Sequence, residues 1–395
     1  MRAVLTDRLV VCALACAVAL RLAVAVALPY LPDESERSIP LADEIASASS
    51  IADLPLRGPE HPALPSYVVA ASQSLFGTSP LGRRTLHLWM GLLMIVVVAA
   101  IAFHWQGIVV ARWAAWLMAF NEYHIGVSAY ATAKAPHLLA VALSLWAFSR
   151  ALTSHRPADL WMATAWVAVA CYAKEYAALL LPIYAVALWL PGLRGTFRLS
   201  HQVVAALVFL VLMTPDIVWH LLPRPGDQRW TIQQHLARVS IDVNLGYLMF
   251  YLRDVMQAGH HAMTGLWIAD GAVENPSMNS LMGALLLAGV VWTTGRSTDR
   301  SVTRQALLLT FWPILAFFVC LAPEREHLTP SAWYWVDMTL FPATLCAAAW
   351  AASATGRLRW GMWGLAGAAM AYAAYLATLG GFLFDVTVPI TGAAQ

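Results

Sequence analysis

The sequence predicts an all-α polytopic membrane protein with about eleven transmembrane helices and its N-terminus on the inner side. Three observations carry this. The chain of 395 residues is 60% hydrophobic and only 12% charged, with a mean hydropathy of +0.64, whereas soluble domains carry roughly 25% charged residues. Apolar runs of bilayer-spanning length recur from one end to the other. The arginines between those runs fall on alternate connections.

The spans are expected near residues 9–28, 85–104, 108–127, 134–151, 159–173, 176–191, 202–222, 277–294, 305–322, 332–353 and 360–382. The first follows Arg2 and Arg8. Arginines and an apolar run are also the features of a cleavable signal peptide, but a run of about 20 residues is longer than a signal core and is the length of a span. With simple alternation, Arg156, then Arg194 and Arg198, then Arg296, Arg300 and Arg304, then Arg357 and Arg359 join Arg2 and Arg8 on inner connections. That is the positive-inside pattern, and moving any one span in or out would reverse several clusters. The C-terminus then faces outward.

Two long segments, 29–84 and 223–276, fall on the outer side of what is expected to be a single transmembrane domain, 1–395, with no separate soluble domain. In the first, Leu41, Ile45 and Ala48 recur at helical spacing within 39–51, and 62–76 is helical in pattern but too short to span, so both read as helices lying at the membrane surface. The second holds a polar, amphipathic stretch over 229–256. No internal repeat of the kind many transporters show is visible.

The small net charge, +2, gives no field to draw nucleic acid, and no basic run or binding fingerprint is present, so no nucleic-acid partner is expected. The five cysteines, Cys12, Cys16, Cys171, Cys320 and Cys346, all lie in apolar stretches where none can staple an exposed loop. His260, His261, Asp242, Asp254 and Asp270 follow no metal-ligand spacing. No cofactor is called for, and a divalent metal is left open.

The residues able to do chemistry gather on the outer side. Asp33 and Glu34 come where the first helix leaves the membrane, behind Pro29 and Pro32, which fix the turn. A carboxylate there is suited to act as general base toward an acceptor hydroxyl; the alternative is a solvated, acidic start of a surface helix. The run Arg57-Gly58-Pro59-Glu60-His61-Pro62 places an acid, a base and a cation at the start of the second surface helix, or is simply a charged, Pro-rich turn. Tyr130, Lys134 and His137, then Lys174 and Glu175, then Asp216, Trp219 and His220, then Arg325 and His327 sit near outer helix ends. Ionisable groups at membrane depth cost about 2.5–3.5 kcal/mol each and are usually paired or functional, although any one of these can be a snorkelling side chain. Cations beside an acidic loop suit a ligand with an anionic head and an apolar tail, such as a lipid-linked phosphate sugar: Arg and Lys hold the phosphate while a carboxylate activates the incoming hydroxyl.

In their order these features resemble the GT-C superfamily of membrane glycosyltransferases, in the branch that holds the protein O-mannosyltransferases and the lipid A aminoarabinose transferases. The resemblance runs from Arg21-Leu22 and Asp33-Glu34 through Glu60-His61-Pro62-Ala63-Leu64, Leu75-Phe76-Gly77 and Arg83-Arg84-Thr85-Leu86. It continues in the segment from Ser128 to Leu139, in Ala173-Lys174-Glu175-Tyr176 and in Thr214-Pro215-Asp216-Ile217-Val218-Trp219, and ends in Arg325-Glu326-His327 with Phe341-Pro342. Relatives usually carry an acid near position 137, where this chain has His137. The resemblance implies a polyprenyl-phosphate-linked sugar donor, a glycan, lipid or protein acceptor at the bilayer surface, and inverting transfer on the outer face of the cytoplasmic membrane. Carried over, Asp33 becomes the base with Glu34 its neighbour, Glu60 a second acid, and Arg37, His61, Lys134, His137, Arg325 and His327 the candidates for the donor phosphate. Neither a nucleotide site nor a glycine-rich phosphate loop is expected. The rival readings are a transporter or flippase of an anionic lipid, which would place its ionisable residues near mid-membrane rather than at one face, and a non-catalytic scaffold of the same fold.

Overall fold

The computed structural model describes residues 2–27, 30, 33–58, 62–189, 194–221, 240–241, 266–269, 272–276, 280–295, 311–314, 316, 321–322 and 333–375. After a short turn at Arg2–Leu5, the chain enters α1 (Arg8–Ala27). A π-helical turn (Asp33–Ser38) leads into α2 (Ile39–Ser47), and α3 (Leu64–Phe76) completes the first outer connection. Then come α4 (Pro80–Gln106), α5 (Ile108–Ala119), α6 (Glu122–Ala129), α7 (Lys134–Ser154), α8 (Pro157–Cys171), a 3₁₀ turn (Glu175–Leu179) running into α9 (Leu180–Leu188), and α10 (Leu199–Leu221). α11 (Ser280–Gly295), α12 (Trp333–Ser353) and α13 (Gly356–Tyr375) follow.

Helices therefore stand within a few residues of the two short outer-loop helices and of most of the apolar runs that hydropathy marked. Among the described residues, five helices are long and apolar enough to cross a membrane, and four shorter apolar helices accompany them. Apolar side chains on their outer faces, such as Val26, Leu207 and Val211, are exposed. Such a surface is stable against lipid tails, and the protein is a multi-pass membrane protein. The expected span 108–127 differs: it breaks after Ala119, because the Asn121 side chain accepts the His124 amide at 2.9 Å and starts a new helix, α6. Most of the expected span 305–322 and most of the second outer segment lie outside the described residues. What is described there includes two short antiparallel strand pairs, β1 (Ser240–Ile241) with β4 (Leu321–Ala322) and β2 (Leu266–Ala269) with β3 (Ala272–Pro276), so the all-α expectation is corrected to nearly all-helical.

Helix packing relies on small residues, as expected where lipid removes the hydrophobic drive between helices. A Cβ on Gly289 of α11 would stand 2.4 Å from the Ala347 Cα of α12, so only glycine allows that approach. Ser144 of α7 donates to the Ala163 carbonyl of α8 at 2.8 Å and meets the Tyr184 hydroxyl of α9 at 2.8 Å, while the Phe148 and Tyr184 rings stack 4.0 Å apart. α1 is fixed by Arg21, buried in mid-helix. Its guanidinium donates to the Ala17, Ala119 and Met118 carbonyls, to Ser128 Oγ at 2.9 Å and to His124 Nδ1 at 2.5 Å. Gly91 of α4 makes room for this network, since a Cβ there would stand 2.3 Å from the Ser128 Cβ.

Candidate functional site

The site grows from the exit of α1. The π-helical turn sends the two adjacent acids in opposite directions. Asp33 faces out: its side chain is 42% exposed and its Oδ1 accepts from Arg37 Nη1 at 3.0 Å, one turn along. Glu34 faces in and is fully buried. Its Oε1 accepts from Arg84 Nε at 2.8 Å and from the Ala131 amide at 2.8 Å, and its Oε2 accepts from Arg84 Nη2 at 2.5 Å. Arg84 Nη1 donates back to the Ala25 carbonyl at 2.8 Å, and the guanidinium lies over the rings of Tyr30 and Tyr130. Glu34, expected as the neighbour of Asp33, thus has both oxygens engaged and binds the connection after α1 to Arg84 of α4 and to the Ala131 amide that follows α6.

Near Asp33 lie two lysines, the buried Lys134 at the start of α7 and the half-buried Lys174 between α8 and α9, and both feel the Asp33 charge. Lys134 Nζ donates to the Tyr123 hydroxyl at 3.4 Å and stands over its ring. That hydroxyl donates to Asp337 of α12, and Tyr176 donates to the other Asp337 oxygen at 2.5 Å. Asp337 is thus a buried carboxylate that takes two phenol protons from two elements and faces both lysines. Burial pushes the Lys174 ammonium below the ordinary lysine pKa, against the pull of Asp33, Glu175 and Asp337; Arg37 adds to the depression.

His137 lies one turn beyond Lys134. Its Nδ1 is 3.3 Å from the Ala170 carbonyl and its ring meets Tyr176 edge-on at 4.8 Å. A proton on Nδ1 leaves Nε2 as an acceptor, and Nε2 has no hydrogen-bond partner among the described residues.

The structure brings together Asp33, Arg37, Lys134 and His137 of the residues expected from sequence and sets Glu34 behind them. Glu60, His61, Arg325 and His327 lie outside the described residues, as do the acids and histidines weighed for a metal in the second outer segment; among the described residues no group of three or more metal-ligating side chains forms. Asp337, Tyr123 and Tyr176 were missed. Asp337 had a signal, as the one acid inside the apolar run from 333 to 353. Leu56, Leu64, Tyr67, Val169 and Tyr172 line an open, apolar hollow of 220 Å³.

The sequence pattern of the dolichyl-phosphate-mannose-protein mannosyltransferase family matches residues 60–219, and no curated protein matches the chain. Solved structures do. ArnT from Cupriavidus metallidurans bound to undecaprenyl phosphate superposes with a TM-score of 0.64 at 20% identity, over 87% of this chain and 61% of that one. The same protein in the apo state gives 0.59 at 16% identity, over 93% and 74%. The oligosaccharyltransferase AglB from Archaeoglobus fulgidus, in complex with an inhibitory peptide and a dolichol-phosphate, gives 0.53 at 12% identity, over 94% and 56%. This chain therefore spans about three fifths of the length of the lipid-bound ArnT and AglB chains.

Proposed function

We propose that this chain, which carries the fold of the GT-C membrane glycosyltransferases, moves a sugar from a polyprenyl-phosphate donor to an acceptor hydroxyl on the outer face of the cytoplasmic membrane. The observation that carries the reading is a water-open carboxylate, Asp33, set against a buried lysine, Lys134, and a half-buried one, Lys174. The hollow suits the first units of an isoprenoid chain, and the lysines suit the phosphate at its head.

The donor phosphate is held by Lys134 and Lys174, with Arg37, His61, His137, Arg325 and His327 as further contacts. Arg37 is half-exposed and pairs with Asp33, so an arriving phosphate competes for its guanidinium and leaves that carboxylate able to take a proton. Asp33 then removes the acceptor hydroxyl's proton as its oxygen attacks the anomeric carbon. The bond from that carbon to the phosphate oxygen breaks, configuration inverts, and polyprenyl phosphate departs with its charge stabilised by the lysines. Glu60 is the second acid of this scheme. His137 occupies the place where relatives carry an acid; as a neutral acceptor it is suited to take a hydrogen bond from a donor or acceptor hydroxyl.

The test is transfer from a polyprenyl-phosphate sugar by protein in nanodiscs. Asp33→Asn should abolish turnover while undecaprenyl phosphate still binds. Full turnover in that variant removes Asp33 from the mechanism, and export of an anionic lipid without transfer by the native protein favours the flippase reading.

A further inference from the structure

Arg57 is not used by this scheme, yet it is among the most enclosed charges on the outer side. Its side chain is 5% exposed. Nη1 donates to Asp216 Oδ1 of α10 at 2.6 Å, Nη2 donates to Glu175 at the start of the 3₁₀ turn, and the guanidinium lies over the Trp219 ring at 5.2 Å. Asp216 is itself buried, with His220 Nε2 at 3.7 Å. One planar cation thus joins two carboxylates and an aromatic face from two separate elements. That geometry uses the forked guanidinium fully, and a lysine cannot copy it.

Arg57 also stands at the base of a turn. It pairs with Pro62 across the turn that carries Glu60 and His61, and the Ala63 amide donates to the Leu56 carbonyl at 3.1 Å just below. The neck of the turn is closed by backbone, and Arg57 fastens that neck to α10, the helix from which the second outer segment departs. Through Glu175 the same fastening reaches Lys174.

We infer that Arg57 is a positioning residue: it ties the backbone bridge between Leu56–Arg57 and Pro62–Ala63, the two ends from which Glu60 and His61 are reached in sequence, to the end of α10 and to the 3₁₀ turn that follows Lys174. Its catalytic consequence rests on the function proposed above, whereas the tie itself does not. Without the cation, Asp216 and Glu175 lose their hold on the neck, and the base of the turn would open without disturbing the helices below.

Hydrogen exchange on the full chain in nanodiscs tests the tie without any substrate. Arg57→Gln should speed exchange about tenfold, the equivalent of 1.4 kcal/mol, in peptides covering 51–63 and 212–221, with 134–154 unchanged. Asp216→Asn should give the same two-site signature from the other side, and Arg57→Lys an intermediate one. Unchanged exchange at either site, or faster exchange spread through 134–154, overturns the tie. With a polyprenyl-phosphate sugar, Arg57→Gln should lower kcat about tenfold and leave the donor KM unaltered; equal kcat overturns the positioning role. A native protein that transfers no sugar sinks the proposed function instead, and the exchange data still decide the tie.

Discussion

Replacing Glu34 by Gln should cost the protein its fold before it costs it chemistry. The side chain is fully buried and takes three hydrogen bonds, two from Arg84 and one from the Ala131 amide. A glutamine of the same shape keeps one acceptor oxygen but turns an amide NH₂ toward a guanidinium, and it leaves Arg84 as an uncompensated buried charge. Breaking such a pair from one side costs about 3–5 kcal/mol, which is a large share of a total stability of about 5–15 kcal/mol. For a chain of this size that corresponds to a loss in Tm on the order of 5–10 °C. Thermal unfolding in nanodiscs, followed by tryptophan fluorescence, measures it. Substituting both partners, Glu34→Gln with Arg84→Met, removes the stranded charge and should recover much of the loss. The neighbouring Asp33→Asn, at an exposed ion pair worth well under about 1 kcal/mol, should leave Tm where it was. The reasoning fails if Glu34→Gln melts with the native protein, or if the double variant is no better than the single one.

Three further outcomes follow from the geometry. Because burial depresses the Lys174 pKa, its ammonium is present at low pH and lost as pH rises through that lowered value, so donor KM should climb on the alkaline side sooner than an ordinary lysine near 10.4 would dictate; a KM flat up to that pH argues against a phosphate contact. Asp337→Ala leaves two tyrosine hydroxyls without their acceptor, at about 1–3 kcal/mol each, and should lower Tm more than Asp337→Asn, which keeps one acceptor; equal melting of the two variants counts against the paired arrangement. Gly91→Val drives a side chain into Ser128 and its hydrogen bond to Arg21, an overpacking cost of about 1–3 kcal/mol, read as a fall in Tm that Gly91→Val shows and Gly361→Ala, at an open helical position, does not.

Hydropathy made the spans and both surface helices legible, because a bilayer leaves a run of about 20 apolar residues few alternatives to a spanning helix. It failed at Phe120 and Asn121, where apolar content continues but a side-chain cap ends one helix and begins another. The site was partly legible for a related reason. A charge near a helix end announces itself, as Lys134 and His137 do, while which way it points depends on partners far along the chain. Asp33 and Glu34 are neighbours with the same chemistry, and only Arg84, fifty residues on, decides which of them is held inside. Asp337 escaped because its partners, Tyr123 and Tyr176, come from segments that no local spacing connects to it.

α10 has a consequence for anyone who handles this protein. It is 23 residues long, about 34 Å at 1.5 Å per residue, against a hydrocarbon layer of about 30 Å, and most of its surface is exposed. Trp161 and Tyr172 donate to its His201 and Leu212 carbonyls, and Arg57 donates to its Asp216 near the C-terminal end. A helix longer than its bilayer tilts, and the angle follows the acyl chains around it. The distance from Asp216 to Arg57 is then partly written by the lipid, so acyl chain length belongs with pH and salt among the quantities held fixed when activity is compared.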